Sequence, residues 1–192
     1  MKKDDIITLP NDHLRQKSSK VKVFDEKVKK LVDDMVSAAL DWEDSRPHEI
    51  SAALAAVQID ILKKVVIIRS DFEDKNDRNF TVLINPEIIK YEGEIEEDYE
   101  GCLSVKDIYG KVPRHNKIRI KAYDVNGAPI RLKAQGFPAR VIQHEIDHTN
   151  GIVFVDHIQH SKDAFFELDD NGELIPLNYD EDVASKGIFD DD

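Results

Sequence analysis

Hydrophobic positions along this chain keep two different periods. From Asp25 to Trp42, the residues Val28, Leu31, Val32, Met35, Ala39 and Trp42 recur at three- and four-residue spacing, the stripe of an amphipathic helix, and Asp25 stands where its side chain can cap the N-terminus. Lys63 to Arg69, Thr81 to Asn85 and Glu87 to Tyr91 are short β-branched runs that read as strands, set apart by the polar loop Ser70 to Asn79 and by Pro86. Lys117 to Tyr123 alternates polar with apolar, Asn126-Gly127 signals a turn, and Ala128 to Leu132 alternates again, which predicts a hairpin. After Pro138 the period lengthens: Val141, Ile142, Glu145, Ile146 and Thr149 share a helical face, and Asn150-Gly151 stops the helix. Nothing repeats, and no Pro- or Gly-rich linker divides the chain. The pattern predicts one α+β domain over residues 1–192, with strands outnumbering helices.

Composition narrows the class. With 192 residues, 41% of them hydrophobic and 34% charged, the chain can bury a real core and is neither collagen-like nor disordered. Its longest apolar stretches, such as Ile50 to Ile59, fall well short of the roughly 20 residues a membrane helix needs. The N-terminus lacks a signal-peptide core, so a cytoplasmic location with no membrane contact is expected. The net charge of −12 is unevenly spread: residues 163–192 carry 11 acidic and 1 basic residue, leaving the remainder close to neutral. That segment reads as an acidic C-terminal extension that solvates the chain, fraying over 180–192, and a body without a basic run argues against direct nucleic-acid binding.

Chemistry concentrates in the second helix. His144-Glu145-Ile146-Asp147-His148 sets two imidazoles four residues apart on one helical face, with a carboxylate beside them. Such spacing suits a divalent metal, because each neutral imidazole offers a lone pair and Glu145 could take a proton from water. A third ligand is needed, and another histidine, a carboxylate or Cys102 could supply it. Cys102 is the one cysteine, so it forms no internal disulfide and is core filler, nucleophile or ligand. His13, His48, His115, His157 and His160 belong to no motif and read as solvated.

Glu100-Gly101-Cys102-Leu103-Ser104, followed some forty residues later by Gln143 to His148, resembles the second and third motifs of the peptide deformylases. These metal hydrolases remove the formyl group from N-terminal methionine. The family's first motif, Gly-x-Gly-Leu-Ala-Ala-Pro-Gln, is matched at Leu54, Ala55, Ala56 and Gln58, while Ser51, Ala53 and Val57 stand where it has Gly, Gly and Pro. The likeness covers roughly residues 6–158 and includes Leu9-Pro10, Asn85-Pro86, Arg114 and Asn150-Gly151. It implies antiparallel and mixed β-sheets packed around the helix that carries the His-Glu-Ile-Asp-His run. It implies Cys102, His144 and His148 as ligands of a ferrous ion with water in the fourth position, Glu145 as general base, and the Gln58 amide with the Leu103 N–H as oxyanion donors. Zinc, nickel or cobalt could replace the iron. Glu100 and Asp147 are expected to orient the ligand histidines, with Arg114 paired to Asp147.

The replaced glycines bear on the cleft: Ala53 adds a methyl group where the family lies close to its peptide, and Ser51 alters the same segment. The loop Ser70 to Asn79, Tyr109 and the segment Glu173 to Leu177 resemble the longer, Gram-positive-type members. The expected partner is the N-formylmethionyl nascent peptide, met by a monomer with a transient ribosome contact. Three rivals follow from the same residues: a deformylase-like binder without turnover, an HExxH metallopeptidase, and an enzyme using Cys102 as nucleophile.

Overall fold

Asp25 opens the first helix by accepting the N–H groups of Lys27 and Val28 at 3.0 and 3.3 Å. The computed structural model describes residues 1–46, 49–74, 76–169 and 171–189. Helix α1, Glu26–Asp44, buries Val28, Leu31, Val32, Met35 and Ala39, the stripe its spacing predicts. Its partner is a sheet built from β1 (Ala53–Ala55), β2 (Val65–Arg69), β3 (Phe80–Cys102), β4 (Val105–Tyr123), β5 (Pro129–Gln135), β6 (Phe165–Leu168) and β7 (Leu174–Pro176). The order is β1-β2-β3-β4-β6-β7, and β5 also pairs with β4. β2 explains why its sequence is apolar without alternation: Val65 and Ile67 pack beneath α1, while Val66 and Ile68 pack on the opposite face. That second face receives helix α2, Phe137–His148, through Val141, Ile142 and Ile146.

The α+β class holds, but the mixed sheet does not. Every strand pair in the sheet is antiparallel, and the parallel contact among the described residues is an isolated bridge between Ser19 and Lys63. Turns and loops join most successive strands; α2 lies between β5 and β6, but both of these pair antiparallel with β4, so among the described residues no helix serves as a parallel crossover. A second correction concerns Pro86, which does not separate two strands. β3 runs through it because Asn85 takes φ 51° and the register shifts between Ile84 and Glu87, so the missing N–H falls at a bulge. The acidic stretch beyond Tyr91 also stays extended, since Ile95, Glu96 and Glu97 pair with His115, Arg114 and Pro113 of β4.

The C-terminal extension is no solvated tail. Phe165, Val183 and Ile188 are buried with Ile108, Val112 and Phe154 in a third core beyond the two faces of β2. Among its described acidic groups Asp163, Glu173, Asp180 and Glu181 are exposed and Glu167, Asp169 and Asp182 half-buried, and the apolar residues between them are too sparse to register as a stripe. Residues 190–192 of the expected frayed end lie outside the described residues. No helix among the described residues is long and apolar enough to cross a membrane. Behind α2, Gly151 has φ 79°, and a Cβ there would lie 2.3 Å from the Arg15 carbonyl oxygen, so only glycine lets the N-terminal segment pass.

Candidate active site

Three segments meet at one point. β3 ends at Cys102, α2 carries the two histidines, and the turn after β1 delivers Gln58. Cys102 Sγ lies 3.2 Å from His148 Nε2. One donor atom each from Cys102, His144 and His148 falls within 4.8 Å of the others, and this is the group of metal-binding geometry found among the described residues. His148 is fully buried and His144 nearly so. Glu100 accepts from His144 Nδ1 at 2.8 Å, which turns Nε2 of that ring towards the sulfur. Burial works against charge on His144, but Cys102 and Glu100 raise its pKa well above the ordinary imidazole value. The neighbours that favour a proton there also favour a divalent cation in its place. Burial, with His144 and Arg114 nearby, pushes His148 down and leaves its lone pair free. A thiol and two imidazoles converging in this way fit a tetrahedral site with one open position.

Glu145 faces the same cleft. It is 4% exposed, its Oε2 has no hydrogen-bond partner among the described residues, and burial pushes its pKa up to about 7. Gln58 is held in one orientation: its Oε1 accepts the Ala55 N–H at 2.8 Å, so Nε2 points at Ser104 Oγ (3.1 Å) and Cys102 Sγ (3.5 Å). Leu103 lines the cleft beside them. The cleft is a cavity of about 360 Å³, walled by Ala53 of β1, Gly101 and Cys102 of β3, Tyr109 of β4 and Val141 of α2. Gly101 admits no side chain, since a Cβ would meet the Tyr109 ring at 2.6 Å. Tyr109 donates its hydroxyl to Glu49 at 2.7 Å and so ties β4 to the loop before β1.

Behind the ligands lies a buried ionic network. Arg114 grips both oxygens of Glu100 at 2.9 and 3.0 Å and also donates to Asp147. Burial alone would raise the Glu100 pKa, but the bonds from His144 and Arg114 hold it well below the carboxylate range. Asp147 serves Arg114 and His157, not a ligand imidazole, and His148 Nδ1 has no partner among the described residues. His157 is therefore bound into the network and not merely solvated. His13 pairs with exposed Asp60, His160 contacts Gln159, and His48 lies outside the described residues. Ser51 sits at the start of the β1 segment and does not touch the ligands; its N–H donates to Glu43 and its carbonyl accepts from Arg69.

Two features escape the motifs. Buried Arg140 donates to Glu100 at 2.8 Å and to the carbonyls of Val112 and Glu96 at 2.7 Å each. Its place four residues before His144, on the ligand face of the helix, is a signal that could have found it. The Glu43–Arg69 pair is the other, and neither residue sits in a recognisable pattern.

The pattern of the polypeptide deformylase family matches residues 3–164. The peptide deformylase of Thermomicrobium roseum is 40% identical over 157 residues, which span 80% of this chain and 85% of that protein. Peptide deformylase 1 of Bacillus subtilis is 39% identical over 153 residues, 80% of this chain and 88% of its own. Among solved structures, a peptide deformylase from Synechococcus elongatus in complex with actinonin matches with a TM-score of 0.72 at 36% identity, covering 79% of this chain and 78% of that one.

Proposed function

The chain belongs to the polypeptide deformylase family, and from that premise we propose that Cys102, His144 and His148 hold one divalent ion, ferrous iron, in front of Glu145. It is a metal-dependent hydrolase that removes the formyl group from the N-terminal formyl-methionine of peptides and releases formate. The observation that carries the site assignment is the convergence of one thiol and two imidazoles within 4.8 Å, with the carboxylate of Glu145 buried beside them.

When bound, the ion supplies Lewis acidity and makes water more acidic. Glu145 takes the proton of the attacking water, and a pKa of about 7 suits it both to accept that proton and to return it to the leaving amine. Gln58 Nε2 and the Leu103 N–H donate to the oxyanion formed at the formyl carbon, each contributing about 3 kcal/mol. The fixed Gln58 amide supports this, because a donor already aimed needs no reorganisation during reaction. Glu100 orients His144, Arg114 holds Glu100 and Asp147, and Gly101, Tyr109, Ala53 and Ser51 shape or brace the peptide cleft. Iron is our reading of the metal, with zinc, nickel and cobalt acceptable to the same donors. We place the activity in the cytoplasm, in one domain spanning 1–192 that acts as a monomer on nascent chains. Any ribosome contact would be made with protein and not RNA, given the acidic C-terminal segment.

Formate release from formyl-Met-Ala-Ser by anaerobically iron-loaded protein tests this reading. Glu145→Gln should bind metal normally and lose activity by about a thousandfold or more. Full activity in that variant, or no turnover by metallated wild type, would overturn it.

A further inference from the structure

The family match ends at residue 164, one residue before β6 begins. β6 nevertheless joins the wall of the cleft. It pairs with β4 through Phe165 opposite Gly110 and Phe166 opposite Tyr109, while on the other side of β4 Tyr109 lies opposite Gly101. Cross-strand partners share a face of a sheet, and so do alternate residues along each strand. Tyr99, Gly101, Tyr109, Phe166 and Leu168 therefore stand on one face, while Phe165 and Ile108 turn into the third core behind.

The exposed face is apolar at Tyr99, Phe166 and Leu168 and continuous with the reacting centre, with the ion pair of Lys111, opposite Tyr99, and Glu97 beside it. The Tyr99 and Phe166 rings meet edge-on at 5.0 Å, and Tyr99 remains 41% exposed. Leu168 and Tyr99 line the same cavity as Cys102, His144 and Glu145. A peptide whose formyl carbon lies at Glu145 must lead the rest of its chain out of this cavity. The charged groups at the opening, Arg46 and Lys106 against Glu49 and Asp107, balance in sign and select no charge.

We propose that Tyr99, Phe166 and Leu168 form a shelf that receives an apolar side chain of the substrate downstream of formyl-methionine, which makes the C-terminal segment a specificity element. This rests on the deformylase reading. Partial burial of one leucine side chain on such a shelf is worth about fivefold in affinity.

The test uses the full iron-loaded chain with formyl-Met-Ala-Xaa and formyl-Met-Ala-Ala-Xaa peptides, where Xaa is Ser, Asp or Leu. At one of the two positions the KM for the Leu peptide should be about fivefold below that for Ser, with kcat equal. Leu168→Ser should bring that ratio close to one, and Leu168→Met should keep it. Tyr99→Ser, on an exposed position of β3, repeats the test with the sequence of β6 unchanged, removing only the ring that Phe166 packs against. A wild-type ratio near one at both positions, or a preference that survives Leu168→Ser and Tyr99→Ser, overturns the shelf. The lone tryptophan, Trp42, lines the cleft and reports peptide binding by fluorescence in Glu145→Gln protein. If no peptide yields formate, the deformylase reading fails, while the Leu-to-Ser ratio of dissociation constants, with and without Leu168→Ser, still decides the shelf.

Discussion

Ser51 is wholly buried, and its hydroxyl has no hydrogen-bond partner among the described residues. A buried, unpaired hydroxyl carries a desolvation cost that alanine does not. Ser51→Ala should therefore stabilise the protein by about 1 kcal/mol, read as a higher urea midpoint at unchanged m-value. Glu87 makes the opposite kind of contribution. Hydrogen bonds from Lys121 and Lys20 lower its pKa from 4.5 to about 2. A carboxylate depressed in the folded state adds stability above its unfolded pKa and loses it as pH falls towards the folded one. The wild type should thus lose stability between about pH 4.5 and 2, and Glu87→Gln should flatten that limb in urea titrations at stepped pH. Glu87 is one-third exposed, so the effect is modest and shrinks in salt. Single residues were legible in the sequence where chemistry restricts the choice: His144 and His148 by type and spacing, Cys102 and Gln58 by the motifs they stand in. Ser51 was legible only as a departure from that motif, because burial and a missing partner leave no mark on the sequence.

Helix α2 is buried along almost its whole length although five of its nine buried residues are not apolar. Arg140 explains how it stays attached, since one planar guanidinium serves carbonyls on both β3 and β4 as well as Glu100. Removing it leaves those acceptors buried and short of a donor. Arg140→Ala should cost about 3 kcal/mol, and Arg140→Lys should recover only part because a single ammonium nitrogen cannot span acceptors that two guanidinium nitrogens reach. Through Glu100 the same loss loosens His144, so metal affinity measured by competition with a chelator should fall about tenfold or more. The two helices and the hairpin at Asn126-Gly127 were readable because their periods are unambiguous. β3 was readable only in its first half, as the two runs on either side of Pro86, because its second half is acidic and extended only by virtue of the strand it pairs with. The C-terminal strands were hidden for another reason: Phe165–Leu168 and Leu174–Pro176 are four and three residues long, too short to show a period in a segment that is otherwise largely charged and polar.

The paired strands β3 and β4 pass through all three cores. Ile84 lies under α1, Leu83, Ile118 and Ile120 under α2, and Val105, Ile108 and Val112 beneath the C-terminal segment. No core can come apart without disturbing a ladder that the other two also use. Melting should accordingly be a single event, with calorimetric and van't Hoff enthalpies in agreement, and a low shoulder assignable to residues 165–189 would contradict it. In hydrogen exchange, the slowest amides of all three cores should share one opening free energy. The substrate shelf, though two of its three residues come from β6 near the end of the chain, would then be as durable as the metal centre: the protein would have no partly melted form that still cleaves peptides but has lost its preference among them.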